Sequence, residues 1–160
     1  MDILNEEFLL FLKCARQNSL RYMLIGGYAV NYYGYNRNTK DMDAWIAPTN
    51  ENKIAFINTL LCMKYSKEEV DHLLKEDFTK PFTSNIIAAD ARIDILTVVH
   101  KSLSYDEAEK NKNTFEVIEG IFMELVPYDF LKDMKLRSGR DKDLWDIARL
   151  EELRNPPNNP

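Results

Sequence analysis

The amino-acid sequence predicts a mixed α/β (α+β) domain in which helices pack against a small mixed β-sheet. Three observations carry that prediction. Short apolar runs of strand length alternate along the chain with stretches whose apolar residues recur at helical spacing. A Gly-Gly pair and a Glu-Gly step punctuate those runs where the chain must turn. The 160 residues, 45% hydrophobic and 29% charged, suffice for one core and leave little room for a second. Residues 1–154 are therefore expected to form a single domain, with Asn155 to Pro160 a frayed tail.

Asn5 followed by Glu6 and Glu7 has the form of a helix start, and Phe8, Phe11, Leu12 and Ala15 recur at helical spacing up to about Gln17. Arg21 to Ile25 is a short strand stopped by Gly26-Gly27. Tyr28 to Tyr33 then makes two helical turns before Gly34. Lys40 to Ile46 reads as a strand with Met42, Ala44 and Ile46 on one face and Asp41, Asp43 and Trp45 on the other. Pro48-Thr49-Asn50 opens a helix to about Cys62, with Ile54, Ile57 and Leu61 expected on its buried face. Ser66 and Glu69 form a capping box ahead of a helix from Lys67 to about Lys75. Asn85 to Ala89 and Ala91 to Val99 suggest a hairpin or kinked strand pair about Asp90, and Ser102 to Lys110 a short helix. Phe115 to Ile118 and Ile121 to Val126 flank a tight Glu119-Gly120 turn. Two helices follow, from Pro127 to about Arg137 and from about Asp141 to Leu153.

Composition narrows the function. No apolar run approaches the roughly 20 residues that span a bilayer. The acids in MDILNEEFLL stand where an export signal needs Lys or Arg, so a cytoplasmic protein is expected. Cys14 and Cys62 lie in apolar helical stretches and read as buried free thiols in a reducing compartment. With only His72 and His100 beside them, a structural zinc set is not expected. The net charge of −5 and pI near 5.1 do not suit broad binding to nucleic acid, which draws its affinity from Lys and Arg on phosphates. The bias is towards a small-molecule or protein partner.

The chemistry concentrates in three segments. Asp41 and Asp43, at i and i+2 of a strand, share a face with Cα atoms about 6.5 to 7 Å apart, close enough to converge on metal. A solvated edge strand also reads D-x-D. Asp94 sits inside the apolar run Arg92-Ile93-Asp94-Ile95-Leu96. There it pairs with Arg92, completes a three-carboxylate metal site, or does both. Gly26-Gly27, between a strand and a helix, offers backbone N–H groups and close approach to a phosphate. Arg37 and Lys40, just before Asp41, are candidates to neutralise triphosphate oxygens, as are Lys135, Arg140 and Lys142 from the terminal helices. The plainer reading of the terminal cations is a solvated face paired with Asp143 and Asp146. Tyr28, Tyr32, Tyr33, Tyr35 and Trp45 can stack on a base, but packing is the commoner use of such rings.

Leu24-Ile25-Gly26-Gly27, Arg37-Asn38-Thr39-Lys40-Asp41-Met42-Asp43 and Arg92-Ile93-Asp94-Ile95-Leu96 together resemble the nucleotidyltransferase superfamily: its glycine pair, D-x-D and distant third acid in the usual order. The R-x-T-x-D-x-D form is similar to small bacterial members related to abortive-infection toxins and antibiotic nucleotidyltransferases. The resemblance covers residues 20 to 100 and extends more loosely to Lys135 and to Gly139 to Asp143. One departure is Gly27, where many members carry a serine that contacts phosphate.

The resemblance implies a nucleotidyltransferase-like sheet and two Mg2+ ions held by Asp41, Asp43 and Asp94. Two such metals, about 3.5 to 4 Å apart, stabilise the attacking and leaving oxygens of an in-line displacement. Three carboxylates and two divalent ions leave the core net positive toward an NTP such as ATP. Asp94, furthest from the glycines in chain order, is the candidate base. The acceptor hydroxyl belongs to a small molecule, a protein or an RNA end, and a toxin–antitoxin setting fits the same resemblance. The alternative is a nucleotide-binding or protein-interaction module of the same fold that has lost turnover.

Overall fold

The computed structural model describes residues 4–88 and 90–156. In chain order the elements are α1 (Glu6–Gln17), β1 (Tyr22–Ile25), α2 (Gly26–Tyr32), β2 (Asp41–Ile46), α3 (Asn50–Cys62) and α4 (Lys67–Val70). Then come β3 (Thr83–Ala88), β4 (Ala91–Leu96), α5 (Tyr105–Glu109), β5 (Asn113–Ile118), β6 (Ile121–Leu125), α6 (Tyr128–Ser138) and α7 (Asp141–Arg154). The fold is mixed α/β. Ala89 and residues 157–160, parts of the expected β-run and tail, lie outside the described residues.

The six strands form one sheet in the order β3-β4-β2-β1-β6-β5. β2 runs parallel to β4 and β1 parallel to β6, while the remaining neighbours are antiparallel. One face is apolar because the alternation of β2 continues across its neighbours. Ala44 and Ile46 stand beside Leu24 and Tyr22 of β1, and Met42 and Ala44 beside Ile93 and Ile95 of β4. All of these side chains are buried. Helix α1 contributes Phe8, Phe11, Leu12 and Ala15 to the core, and the Phe11 ring meets Tyr22 edge-on at 5.7 Å. Burying each large side chain contributes about 2–3 kcal/mol, so this face supplies much of the driving force for folding. The opposite face carries Asp41, Asp43 and Asp94.

Helix starts follow their capping chemistry. The Asn5 side chain accepts from Glu7 N at 2.9 Å, Thr49 accepts from Asn52 N at 3.1 Å, and Ser66 and Glu69 close their box reciprocally. Beyond Val70 the helix tightens into a 3-10 turn over Asp71–Lys75, so the expected helix from Lys67 to Lys75 is α-helical only in its first part.

Two expectations are corrected. Helix α3 does not bury Ile54 and Leu61, which are 45% and 38% exposed; its inward residues are Asn52, Phe56, Ile57, Thr59 and Leu60. Asn52 sets that rotation. Its side chain accepts from Arg21 N at 2.9 Å and donates to the carbonyls of Arg21 and Ala47 at 3.0 and 3.1 Å, stitching the helix to the ends of β1 and β2. Turning Ile54 inward would strip three hydrogen bonds from a buried amide. Cys14 and Cys62 are not free thiols. They form a disulfide between α1 and α3, with Cα atoms 5.7 Å apart, because the helices pack side by side with both residues at their contact.

Among the described residues no helix is long and apolar enough to cross a membrane. The bridge spans a sequence separation of 48, and constraining a loop of that size stabilises a fold by about 4 kcal/mol at most. The unreduced protein should expose no thiol to Ellman's reagent even in denaturant, and reduction should lower its urea midpoint. Two reactive thiols before reduction would rule the bridge out.

Candidate active site

The strand register decides which acids meet. β2 and β4 run parallel with Asp43 beside Asp94 and Asp41 beside Arg92. Register partners on neighbouring strands share a face, so Asp41, Asp43 and Asp94 all lie on the side opposite the apolar core. Ile25, the last residue of β1, stands beside Asp43 from the other side. The carboxylates thus occupy the middle of the sheet, where β1 hands the chain to α2.

Both glycines are needed here for close approach. Gly26 adopts a φ of +62°, and a Cβ on it would strike the Asp43 carboxylate. A Cβ on Gly27 would collide with Thr39, whose own Cβ would lie 2.6 Å away. The position that the resemblance gives to serine is therefore filled from the loop before β2.

Asp43 carries the electrostatic signature of the site. Burial pushes its carboxyl up to about 6, the charges of Asp94 and Asp41 push the same way, and Lys135 and Arg37 only partly offset them. Asp94 accepts a hydrogen bond from Arg92 Nε at 2.8 Å, with both side chains partly exposed. As the side chains stand, no group of three His, Cys, Asp or Glu among the described residues is drawn in to metal-holding distance. The donor set nonetheless suits a hard cation: three carboxylates on one face, two of them in register.

A second group of charges faces Asp43 from the C-terminal helices. Gly139, at a φ of 62°, ends α6 and lets α7 fold back beside it, which brings Lys135 against Asp143 and Asp146, one turn apart on α7. Lys135 is only 6% exposed and donates to both at 2.7 Å. Asp143 also accepts from Ser138 and from Arg140 Nε. Burial alone would raise the Asp143 carboxyl, but the hydrogen bonds from Lys135, Ser138 and Arg140 outweigh it and hold the group near about 2. Arg37 Nε lies 3.1 Å from Asp146 as an ion pair outside hydrogen-bond geometry, with little of its side chain exposed.

Two adjoining cavities share Gly26, Asp43, Lys135, Arg140 and Asp143. The polar one, about 240 Å3, is completed by Gly27, Arg37, Thr39, Asp41 and Lys142. The other, about 210 Å3, is walled mainly by Ile25, Leu96, Val99, Leu131 and Met134, with Ser138 at its polar side. Of the candidate phosphate-binding residues, Gly26, Gly27, Arg37, Lys135 and Arg140 thus gather around Asp43, and Lys142 joins them. Lys40 does not. It lines a separate cavity with Asn5, Tyr28 and Asp90, because strand alternation turns it away from its neighbour Asp41. The aromatic residues are packing elements: Tyr28 meets Phe8, Tyr33 meets Tyr32 and Tyr128, and Trp45 meets Tyr105 while donating to Thr97 O at 3.0 Å. None of the five candidate stacking rings lines either cavity beside Asp43.

Sequence reasoning missed Ser138 and the apolar wall, and treated Asp143 and Asp146 only as partners of a solvated face. Lys135, Asp143 and Asp146 sit at helical offsets on either side of Gly139, the one signal that a hairpin would bury them together. No protein-family model matches the chain, and no curated protein matches it either.

The raised Asp43 carboxyl predicts a pH-dependent cost. Between about pH 4 and 6 the folded state holds a proton that the unfolded chain releases, so stability contributed by the neutral form is lost as pH rises through that window. In EDTA, Asp43→Asn should be more stable than the wild type at pH 8, by about 3 kcal/mol at most, and no more stable at pH 4. Urea titrations at the two pH values check this; a gain independent of pH would contradict it.

Proposed function

We propose that the chain is a Mg2+-dependent nucleotidyltransferase that moves a nucleoside monophosphate from an NTP to an acceptor hydroxyl and releases pyrophosphate. One observation carries the reading: Asp41 and Asp43 line a polar cavity edged by Gly26, Gly27 and four cationic side chains, and Asp94, outside its lining, stands in register with Asp43 on the same face. Carboxylates that crowd one another gain most from a cation. Bound there by Asp41, Asp43 and Asp94, magnesium supplies charge neutralisation and Lewis acidity at the phosphates.

The residues divide the remaining work. The polar cavity receives the triphosphate, with Arg37, Lys135, Arg140 and Lys142 offsetting its charge. Lys135 and Arg37 are held by Asp143 and Asp146, so their positions are set before a ligand arrives. The apolar cavity takes the nucleoside end, with Leu96, Val99, Leu131 and Met134 as a hydrophobic wall rather than a stacking ring. The acceptor oxygen bonds to the α-phosphorus, the bond from that phosphorus to the bridging oxygen breaks, and pyrophosphate departs. Asp94 takes the hydroxyl proton. The need for NTP and magnesium fits a cytoplasmic setting, against which the Cys14–Cys62 bridge counts, because a reducing pool keeps thiols unpaired.

A second reading is a nucleotide-binding module without turnover, and the Arg92–Asp94 hydrogen bond favours it, because it engages the very carboxylate the reaction needs. Titrating ATP, CTP, GTP and UTP with magnesium, then assaying pyrophosphate release with hydroxyl acceptors, separates the two. Asp43→Ala should abolish magnesium-dependent NTP binding with the fold intact by circular dichroism. Unchanged affinity in that variant would remove the enzyme reading, whereas binding without pyrophosphate release across acceptors would favour the silent module.

A further inference from the structure

We propose that the Thr39 hydroxyl is a phosphate-binding group, presented by the loop before β2 in the space that a side chain on Gly27 would fill. This deepens the nucleotidyltransferase reading and rests on it. Gly27 is buried, and its φ lies outside the left-handed region, so its backbone does not demand glycine. Space does. A Cβ there would meet Thr39 Oγ1, its Cβ at 2.6 Å and its Cγ2 at 3.1 Å. The glycine therefore serves the threonine, allowing a hydroxyl from another segment to lie against the glycine backbone.

That hydroxyl has donor capacity to give. Thr39 lines the polar cavity with Gly26, Arg37, Lys135 and Arg140, and on its other side the cavity of Asn5, Tyr28 and Lys40; the hydrogen bond of its hydroxyl to the Asp41 carbonyl is long at 3.4 Å. Its position is fixed from both sides. Two residues earlier, the Asn31 side chain brackets Arg37, accepting from Arg37 N at 2.9 Å and donating to Arg37 O at 3.0 Å. Two residues later, Asp41 enters the β2 ladder beside Arg92. Thr39 is β-branched and so stiff about χ1, which suits a donor that must be in place before an anion arrives.

The test uses two magnesium-loaded probes: ATP, and inorganic tripolyphosphate, which lacks a base. Thr39→Val keeps the shape and removes the hydroxyl, and should weaken both by about tenfold or more by calorimetry. Thr39→Ser should stay within about threefold of the wild type. Thr39→Val binding tripolyphosphate as tightly as wild type overturns the inference and leaves the enzyme reading standing. Wild-type protein that binds neither probe sinks both. A ligand-free measurement tests the shared space. Gly27→Ser should lower the melting temperature, and adding Thr39→Gly should recover most of the loss; a harmless Gly27→Ser would refute the proposed crowding.

Discussion

Carboxylates on one face of two parallel strands repel one another, and the register fixes the backbone positions from which their side chains start. Asp43 is the most confined, with Asp94 in register on one side, Ile25 on the other and Gly26 against its carboxylate. Burial first, and then the charges of Asp94 and Asp41, raise its carboxyl. The cost is met from two directions. Beneath the strands, Met42, Ala44, Ile93 and Ile95 are sealed into the core, so burial on one face anchors charge on the other. Across the cavity, Lys135 and Arg37 offset part of the negative charge. Lys135 is buried with Asp143 and Asp146 each accepting from it, and a buried ammonium without such partners would be expensive. The α6–α7 hairpin is thus an electrostatic counterweight to the sheet, and its turn at Gly139 is where that coupling begins.

The glycine pair answers the same crowding at the scale of single atoms. Gly26 makes room for Asp43 and Gly27 makes room for Thr39, so each glycine is matched to a side chain from the segment that follows α2. A helix N-terminus, a loop hydroxyl and a strand carboxylate come within reach of one cavity because two consecutive residues have no side chains.

Period-two and helical patterns made most of the fold legible in the sequence, since β2 and β4 alternate cleanly and the capping residues Asn5, Thr49 and Ser66 announce their helices. The shared face of Asp41 and Asp43 follows from strand periodicity alone. That Asp94 joins them depends on parallel register between strands almost fifty residues apart, which sequence spacing does not encode. Helix α3 misled because apolar residues cover several of its sides, leaving its rotation to the polar Asn52, whose partners are carbonyls and an N–H in other segments. The disulfide and the burial of Lys135 were hidden for a related reason. A cysteine in an apolar helix looks the same whether or not a second one faces it, and a lysine beside two aspartates looks solvated until a turn folds them together.

The resulting site is asymmetric. On the phosphate side, α6 and α7 raise a wall of cations and apolar residues. On the far side β4 is flanked by β3, where Asn85 stands beside Asp94 and Ile87 beside Arg92. Ile87 is 64% exposed, and Asn85 and Arg92 also face solvent. Within the proposed reaction an acceptor hydroxyl would have to reach Asp94, which lines neither of the two cavities beside Asp43. A cavity of about 290 Å3, lined by Ser84, Asn85 and Ile86 of β3 together with Phe56, Leu60 and Tyr65, opens on this flank. Arg92, which donates to Asp94 at 2.8 Å, holds on this flank the carboxylate that the proposed reaction would use.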